Sequence, residues 1–360
     1  MTMRTTIGLM SGTSLDGIDA ALITTDGRER VETGAFLTVP YPDALRARLR
    51  GCLGGRGAPA EVLAVERELT QAHAATVAAL IARAGLKPGA VELIGFHGHT
   101  ISHAPERGHT CQIGDGGLLA TLTGIAVVND FRSADVAAGG QGAPLVPLYH
   151  RALAANLARP VAVLNIGGVA NVTWLGAEEH DVLAFDTGPG NALLDDWVLA
   201  HTGRRYDEDG ALAARGDVCE TALAALLDHP YFRQPAPKSL DRDAFNPAPV
   251  AGLTTEDGAA TLTAFTAQSV ALALPLLPAP PTRWLITGGG RLNKTLLAML
   301  ETHLAAPVDQ VDQHGWSGDA LEAQAFGYLA VRSLAGLPLS LPTTTGAPHP
   351  VCGGRLHRPN

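Results

Sequence analysis

Near its amino end the chain reads IGLMSGTSLDGIDAALI, from residue 7 to residue 23. Two apolar runs typical of β-strands flank a turn built from Ser, Gly, Thr and Asp. Glycines let backbone N–H groups come close to an anion, hydroxyls add donors, and a neighbouring carboxylate can hold a hydrated cation. The stretch therefore predicts a β-hairpin whose turn holds phosphate, although an ordinary hairpin with a polar turn fits the same residues.

The composition limits the class of protein. The chain has 360 residues, which favours two domains, and 46% of them are hydrophobic, enough for sizeable cores. The net charge is −9 without a basic stripe, which argues against a nucleic-acid or membrane partner. The four cysteines lie far apart, which predicts reduced thiols rather than disulfides or a zinc site. The first residues run into a strand with no apolar leader, so we expect a cytoplasmic protein.

Strand-like runs alternate with helical patterns, which predicts an α/β fold with mostly parallel pairing. The predicted helices cover residues 60–84, 192–201, 262–277, 294–303 and 319–334. The predicted strands cover residues 91–96, 126–129, 161–166, 182–185 and 284–287. Several of these strands stop at Gly, Asn, Asp or Thr. Ligands of open α/β sheets bind beyond the carboxyl ends of strands, so these polar ends predict a ligand site.

The pattern of the opening hairpin returns about 155 residues later, where residues 161–175 read VAVLNIGGVANVTWL. Two copies of a hairpin-led α/β unit would give two domains that face each other across a cleft. We expect a first domain over residues 1–129 and a second over residues 130–335. We expect residues 336–360 to return to the first domain.

Two common nucleotide-binding motifs are excluded. The chain has three lysines, Lys87, Lys238 and Lys294, and none follows a glycine, so G-x-x-x-x-G-K-[ST] is absent. The run Gly288-Gly289-Gly290 continues Arg-Leu-Asn and lacks the third Gly or Ala of a dinucleotide fingerprint. A nucleotide would therefore have to bind at a site of the hairpin-turn type.

Eight short motifs in order give the chain a family resemblance. They are GLMSGTSLDGID (8–19), GFHGHT (95–100), QIGDG (112–116), NDFRSAD (129–135), GQGAPL (140–145), FDTGPGN (185–191), GGGRLN (288–293) and GDALEA (318–323). Together they resemble the bacterial anhydro-N-acetylmuramic acid kinases, which belong with hexokinase, actin and the heat-shock chaperone ATPases. The resemblance implies two ribonuclease-H-like domains of the actin/hexokinase type with an interdomain cleft. His99 departs from the family pattern, which often has Gln at this position.

The resemblance also implies a reaction. The enzymes of this family take an N-acetylmuramic acid whose C1 and C6 oxygens are joined in an internal anhydro bridge. They open the bridge with water and phosphorylate O6 with ATP, which gives N-acetylmuramic acid 6-phosphate and ADP in peptidoglycan recycling. The implied ligands are ATP, Mg²⁺ and a small-molecule amino sugar.

The predicted site follows from the motifs. The residues assigned to ATP are Gly12, Thr13, Ser14, Leu15, Asp16, Gly17, Ile18, Asp19, Asn165, Gly167, Gly168, Gly288, Gly289, Gly290 and Asn293. Mg²⁺ is expected to bind through ATP, with Asp16 or Asp19 holding it through water. The residues assigned to the sugar are His97, Thr100, Arg132, Asn191 and Glu322.

Three of these residues carry a chemical argument and an alternative. Asp186 is the predicted general base for the water that attacks C1, but an Asp before Gly-Pro is also common in turns and helix caps. The Arg132 guanidinium suits the lactyl carboxylate of muramic acid, and the alternative role for this residue is a surface salt bridge. Glu322 either contacts the sugar or forms a capping box with Asp319.

Other functions remain open at this stage. His97, His99 and His103 resemble the start of a metal-dependent hydrolase site, which would bind zinc. Related two-domain ATPases act as chaperones or form filaments, and related kinases act on other sugars. The sequence leaves the oligomeric state open, with a homodimer as one option.

Overall fold

The computed structural model describes residues 2–12, 15–87, 89–178 and 180–359. The chain forms two compact units, Met1–Asn156 with Ala320–Asn360 and Leu157–Asp319. The sequence placed these boundaries after residues 129 and 335, whereas they lie after residues 156 and 319. Our expectation did not foresee that residues 130–156 stay with the first unit, nor that the chain returns to it one helix earlier.

Residues up to 156 supply most of the first unit. Its strands are β1 (Arg4–Ser11), β2 (Gly17–Thr25), β3 (Val31–Pro40), β4 (Leu93–Ala104), β5 (His109–Ile113) and β6 (Ala126–Asn129). Its helices are α1 (Asp43–Cys52), α2 (Pro59–Arg83), α3 (Gly116–Thr123), α4 (Ser133–Ala137) and α5 (Pro147–Leu153).

The second unit and the return follow. The second unit contains β7 (Val161–Ile166), β8 (Val169–Leu175), β9 (Val182–Pro189), α6 (Ala192–Thr202), α7 (Glu220–Leu227), α8 (Thr255–Leu272), β10 (Trp284–Thr287), α9 (Lys294–His303) and β11 (Val308–Gln310). The returning segment contains α10 (Leu321–Leu334), α11 (Pro342–Thr345) and β12 (Arg355–His357).

The two sheets share one pattern of strand order and direction. In the first unit the order is β12-β6-β4-β1-β2-β3, with β1, β2 and β3 antiparallel and β4 and β6 parallel to β1. In the second unit the order is β11-β10-β7-β8-β9, with β7, β8 and β9 antiparallel and β10 and β11 parallel to β7. The predicted α/β class is confirmed, and the repeated hairpins, β1–β2 and β7–β8, lie at matching places in the two sheets.

Helix α10 explains why the chain rejoins the first unit at residue 320. A Cβ built on Gly8 would lie 1.7 Å from the Ala323 carbonyl oxygen, and one on Gly95 would lie 2.0 Å from that of Phe326. The backbone of α10 therefore lies directly on β1 and β4, at a distance that only glycine permits. A helix packed this closely on the central strands belongs to their core.

Two strands run further than the sequence predicted. β4 continues through His97 to Ala104, because its second half pairs with β5. β9 continues past Phe185 to Pro189, because the start of β8 pairs with its end. Both extensions depend on a partner strand, and they place His97 and Asp186 within strands rather than after them.

Helix α8 begins and ends earlier than predicted, at Thr255 and Leu272 instead of 262 and 277. The Thr254 hydroxyl caps its start by accepting the Asp257 N–H, and Pro275 follows its end. The segment Thr255–Leu276 is long and apolar enough to span a membrane, but 67% of an 18-residue apolar stretch within it is buried inside the protein. It is therefore a core helix of the second unit.

Candidate functional site

The turn between β1 and β2 is held by a backbone hydrogen bond and by the Arg46 side chain. The Leu15 N–H donates to the Gly12 carbonyl at 3.1 Å, and Leu15 adopts a left-handed φ of +62°. The Leu15 side chain is buried, and its carbonyl accepts Arg46 Nε at 3.1 Å. Thr13 and Ser14, which the sequence assigned to ATP, lie outside the described residues. The Leu15 amide is thus used inside the turn, and its side chain anchors the turn to the core.

Gly17 and Ile18, the first residues of β2, pack against β3. A Cβ on Gly17 would lie 2.4 Å from the Val39 carbonyl oxygen, so the close approach of β3 requires glycine there. Ile18 is buried and pairs with Val39 in the β2–β3 ladder. Packing accounts for both residues, which the sequence assigned to ATP.

Of the carboxylates in the first unit, the sequence assigned Asp16 or Asp19 to a hydrated Mg²⁺ and Glu322 to the sugar. Asp16 is exposed beside the turn, and Asp19 is half-buried and accepts the Thr38 hydroxyl at 2.6 Å. Loss of solvation raises the pKa of Glu322, although the residue is exposed; the Arg132 charge lowers this pKa, and the Asp19 charge raises it. Oxygen ligands of this kind suit Mg²⁺.

Buried His97 and half-buried Arg132 form a hydrogen-bonded pair in the first unit. His97 Nδ1 lies 2.9 Å from the Gly98 carbonyl, so this nitrogen carries the proton. His97 Nε2 then accepts Arg132 Nε at 3.1 Å and Nη2 at 3.0 Å. Arg132 Nη1 donates to the Gly142 carbonyl at 2.6 Å. Burial lowers the pKa of His97, and the Arg132 charge lowers it further, so His97 stays neutral and orients the guanidinium.

Arg132 also faces Glu322. Loss of solvation lowers the pKa of Arg132 to about 10, while the charges of Glu322 and Asp135 raise it. The capping-box alternative for Glu322 is wrong, because α10 begins with Ala320 at its N-cap and Asp319 accepts Arg291 Nη2 at 2.8 Å. Arg132 and Glu322, two of the residues assigned to the sugar, therefore interact electrostatically.

The remaining residues of the GFHGHT motif divide between the surface and the core. The Thr100 hydroxyl is half-buried in β4 and accepts Gln112 Nε2 at 3.3 Å. His99 is fully buried, with Nδ1 at 2.8 Å from Ser11 Oγ. In the described part of the chain, no group of three His, Cys, Asp or Glu side chains could hold a metal ion. The zinc hydrolase alternative therefore has no support in these residues.

In the second unit Asp186 lies half-buried inside β9. Its Oδ2 accepts the Leu240 N–H at 2.7 Å, and its own N–H donates to the Lys238 carbonyl at 3.0 Å. Burial raises the pKa of the Asp186 carboxyl to about 7, the Leu240 N–H lowers it, and the Asp241 charge raises it. A carboxyl with a pKa near 7 suits a general base that works at neutral pH.

The segment that holds Asp186 was missed by the sequence analysis. The Tyr231 hydroxyl donates to the Asp186 carbonyl oxygen. Lys238 Nζ lies 4.4 Å from the centre of the Tyr231 ring and donates to the Tyr231 carbonyl at 3.0 Å. The bonds from Tyr231 and Leu240 to Asp186 join residues 45 and 54 positions apart along the chain, and no local motif marks them.

The two glycine-rich segments of the second unit, which follow β7 and β10, contact each other at the carboxyl ends of these strands. Gly288 has a φ of +76°, and a Cβ there would lie 2.6 Å from both Asn165 Oδ1 and the Ile166 carbonyl. The Gly167 carbonyl accepts the Asn191 N–H at 2.7 Å, and Asn191 Nδ2 donates to the Ile166 carbonyl at 3.1 Å. The predicted strand-end cluster is thus assembled within this unit.

Around this cluster, the Gly168 carbonyl accepts the N–H groups of Gly190 and Ala192. A Cβ on Gly290 would lie 2.5 Å from the Ile166 side chain. Arg291, which the sequence analysis did not single out, is buried and donates to the Gly288 carbonyl at 3.1 Å and to Asp312 at 3.0 Å. These contacts hold the Gly288 turn in place.

A cavity of about 450 Å³ opens beside the same cluster. Its wall includes three residues assigned to ligands and two exposed apolar side chains, namely Asn191, Gly289, Asn293, Tyr206 and Leu292. Tyr206 is 58% exposed and Leu292 is 55% exposed. Asn293 Oδ1 accepts the Leu296 N–H at 2.9 Å as the N-cap of α9, so its oxygen has a structural partner. Two exposed apolar side chains on one cavity form a surface that a flat ring could cover.

Comparison with known proteins agrees with the motifs. The model of the family described as anhydro-N-acetylmuramic acid kinase matches residues 4–358. An anhydro-N-acetylmuramic acid kinase of Rhodospirillum rubrum is 59% identical over 97% of this chain and 92% of its own length. One of Paramagnetospirillum magneticum is 59% identical over 98% of this chain and 99% of its own.

Solved structures show a weaker likeness. Component A of the (R)-2-hydroxyglutaryl-CoA dehydratase of Acidaminococcus fermentans has a TM-score of 0.47 and 14% identity, over 91% of this chain and 99% of its own. A ROK family glucokinase of Streptomyces griseus, in complex with glucose and AMPPNP, has a TM-score of 0.39 and 15% identity, over 91% and 99%. On the family match and the identity of its relatives, the chain belongs to the anhydro-N-acetylmuramic acid kinase family.

Proposed function

We propose that this protein opens the 1,6-anhydro bridge of anhydro-N-acetylmuramic acid with water and transfers the γ-phosphoryl group of ATP to O6. The products are N-acetylmuramic acid 6-phosphate and ADP. The observation that carries the proposal is Asp186, a strand-held carboxyl whose pKa burial raises to about 7. The family match supports the same reaction.

Asp186 is the general base in this proposal. Its carboxylate takes a proton from water as the water oxygen bonds to C1, and the bond from C1 to the bridge oxygen breaks. The bridge oxygen stays on C6 and attacks the γ-phosphorus, and ADP leaves. A positioned base of this kind contributes typically 10²- to 10⁴-fold in rate. The Leu240 N–H and the Lys238 carbonyl fix the strand position from which Asp186 acts.

We propose ATP contacts for each unit by itself. In the first unit, the sequence predicts that the turn after Ser11 offers backbone donors to the phosphates. The cavity of the second unit would take the nucleoside, with the base against Tyr206 and Leu292. Asp195 lies on the same wall, where burial raises the pKa of its carboxyl to about 7, and its oxygens could accept the ribose hydroxyls.

The first unit contains four of the five residues assigned to the sugar. Arg132, held by His97 and Gly142, would bind the lactyl carboxylate, because a guanidinium fork matches the two carboxylate oxygens. Asp16 or Asp19 would hold a hydrated Mg²⁺ through water, with phosphate oxygens as its other ligands. The cation would neutralise charge on the transferring phosphoryl group. We place the reaction in the cytoplasm.

A coupled assay tests the reaction. Release of ADP is measured with anhydro-N-acetylmuramic acid, N-acetylmuramic acid, N-acetylglucosamine and glucose as acceptors. We expect ADP release and a 6-phosphorylated product with the anhydro sugar, and oxygen from ¹⁸O-labelled water at C1 of that product. Equal turnover with glucose would contradict the proposed substrate, and absence of the label at C1 would contradict the role of water.

A further inference from the structure

The strand that leads into the phosphate turn ends in a buried hydrogen-bond network. Ser11, the last residue of β1, places its Oγ 2.8 Å from His99 Nδ1 and 2.5 Å from the Tyr41 hydroxyl. All three side chains are at most 3% exposed. We call Ser11, Tyr41 and His99 the Ser11 network. It lies one residue before Gly12, where the turn begins.

The same tyrosine reaches the other end of the turn. The Tyr41 N–H donates to the Asp16 carbonyl at 3.4 Å. Arg46 joins the two segments, since Nη2 donates to the Tyr41 carbonyl at 3.0 Å and Nε donates to the Leu15 carbonyl at 3.1 Å. The chain on both sides of the turn is therefore bound to one residue, Tyr41, whose hydroxyl is hydrogen-bonded to Ser11 Oγ.

We infer that His99 is a positioning residue for the phosphate turn, which it holds through Ser11 and Tyr41, and that it does not contact the sugar. The inference rests on the proposed function, which assigns the turn to the phosphates of ATP. His99 is 0% exposed, so a sugar on the protein surface has no access to it. Within the described residues its Nε2 has no hydrogen-bond partner, so Ser11 is the polar group that its imidazole holds.

The electrostatics of the network agree with this role. Burial lowers the pKa of His99 to about 4, so the imidazole is neutral at physiological pH and adds no charge beside the phosphates. A neutral ring can accept from or donate to the serine hydroxyl, depending on its tautomer. The aromatic edge of Tyr41 meets the His99 ring with centroids 6.5 Å apart and planes at 83°, which fixes the ring orientation.

The test compares three variants of the full-length protein. His99→Leu removes the bond to Ser11, and His99→Asn keeps an amide group near the position of Nδ1. His73→Leu is the matched control, because His73 is also fully buried and its Nδ1 bonds to the Leu69 carbonyl of its own helix. The Michaelis constants for ATP and for the anhydro sugar are measured separately, and ATP binding is measured by calorimetry without sugar.

We expect His99→Leu to weaken ATP binding and to raise the KM for ATP about five- to tenfold, the loss that one hydrogen bond gives. The KM for the sugar should change less than about twofold. His99→Asn should recover most of the ATP affinity, and His73→Leu should lower stability while it leaves the KM for ATP unchanged. A higher KM for the sugar alone, or equal effects of the Leu variants on ATP, would overturn the inference.

If His99→Leu does not fold, Tyr41→Phe takes its place, and an unchanged ATP affinity in that variant overturns the inference. Failure of the proposed function is distinguishable from these results. A wild-type protein that binds ATP but does not phosphorylate the anhydro sugar contradicts the reaction, while the calorimetry still reports on the turn.

Discussion

The Asp186 carboxyl links pH, stability and turnover, and Asp186→Asn tests the three together. Asn keeps an oxygen that can accept the Leu240 N–H, which now lies 2.7 Å from Asp186 Oδ2. The variant should therefore fold. It removes the group that burial makes costly to ionise and the group that we propose takes the proton from water. We expect turnover to fall by about 10²- to 10⁴-fold.

The stability change has a definite sign. The pKa of Asp186 rises from 3.8 in an ordinary environment to about 7 in the folded protein. Because the folded-state value is the higher one, the protonated carboxyl favours folding; this contribution is fully present below pH 3.8 and is lost as the pH rises through 7. The full loss would be roughly 4 kcal/mol, and solvent screening of a half-buried group reduces it to roughly 2 kcal/mol.

Asp186→Asn should therefore be more stable than the wild type at pH 8 by about 2 kcal/mol, and by clearly less at pH 5. Urea denaturation at both pH values measures this difference. Asp196→Asn is the control, because that exposed carboxylate pairs with Arg242 at 2.8 Å and should matter by less than about 1 kcal/mol at either pH. Equal stability of Asp186→Asn and the wild type at pH 8, or near-normal turnover, would refute the reasoning.

The pH dependence of the wild-type enzyme should follow the same group, with kcat/KM falling below about pH 7 as Asp186 gains a proton. Gly288→Ala should destabilise the second unit by about 2 kcal/mol or more, since its φ is +76° and the new Cβ meets backbone; Gly252→Ala, with open space around it, is the control for the denaturation curves. Arg132→Lys should raise the KM for the sugar about tenfold or more in steady-state assays, because one ammonium cannot both bond to His97 and present a fork. Tyr206→Ala should raise the KM for ATP several-fold and leave the KM for the sugar unchanged. Equal effects on both constants would contradict the proposed binding of the nucleoside in the cavity.

Local patterns predicted the elements that depend on local signals. β6, β7, β10 and α9 lie where the sequence placed them, because apolar runs and an Asn cap mark their ends. The extensions of β4 and β9 were missed, since pairing with β5 and β8 decides where those strands stop. The unit boundary was also missed, because the close approach of α10 to Gly8 is a contact over more than 300 residues.

The candidate site shows the same division between residue types and their partners. Motifs singled out residues whose chemistry suits the proposed reaction, among them Asp186, Arg132 and Glu322, and their roles stay predictions. They did not show that Leu15 and Ile18 serve the core, or that Tyr231 and Lys238 hold the strand of Asp186. A side chain's partners depend on tertiary contacts, and one sequence carries no direct record of them.

The two hairpins show why topology alone does not assign a role. The turns after β1 and β7 occupy equivalent places in two sheets that share the order of five strands, so the fold predicts similar uses. Their hydrogen bonds differ. In the second unit, the carbonyl groups of Gly167 and Gly168 accept N–H groups at the start of α6, which ties that turn to a helix. In the first unit, the turn is bound from outside by Arg46 and by the Ser11 network. The ends of the turn after β1 are therefore fixed by side chains that substitutions can change one at a time. This turn can be tested separately from the turn after β7.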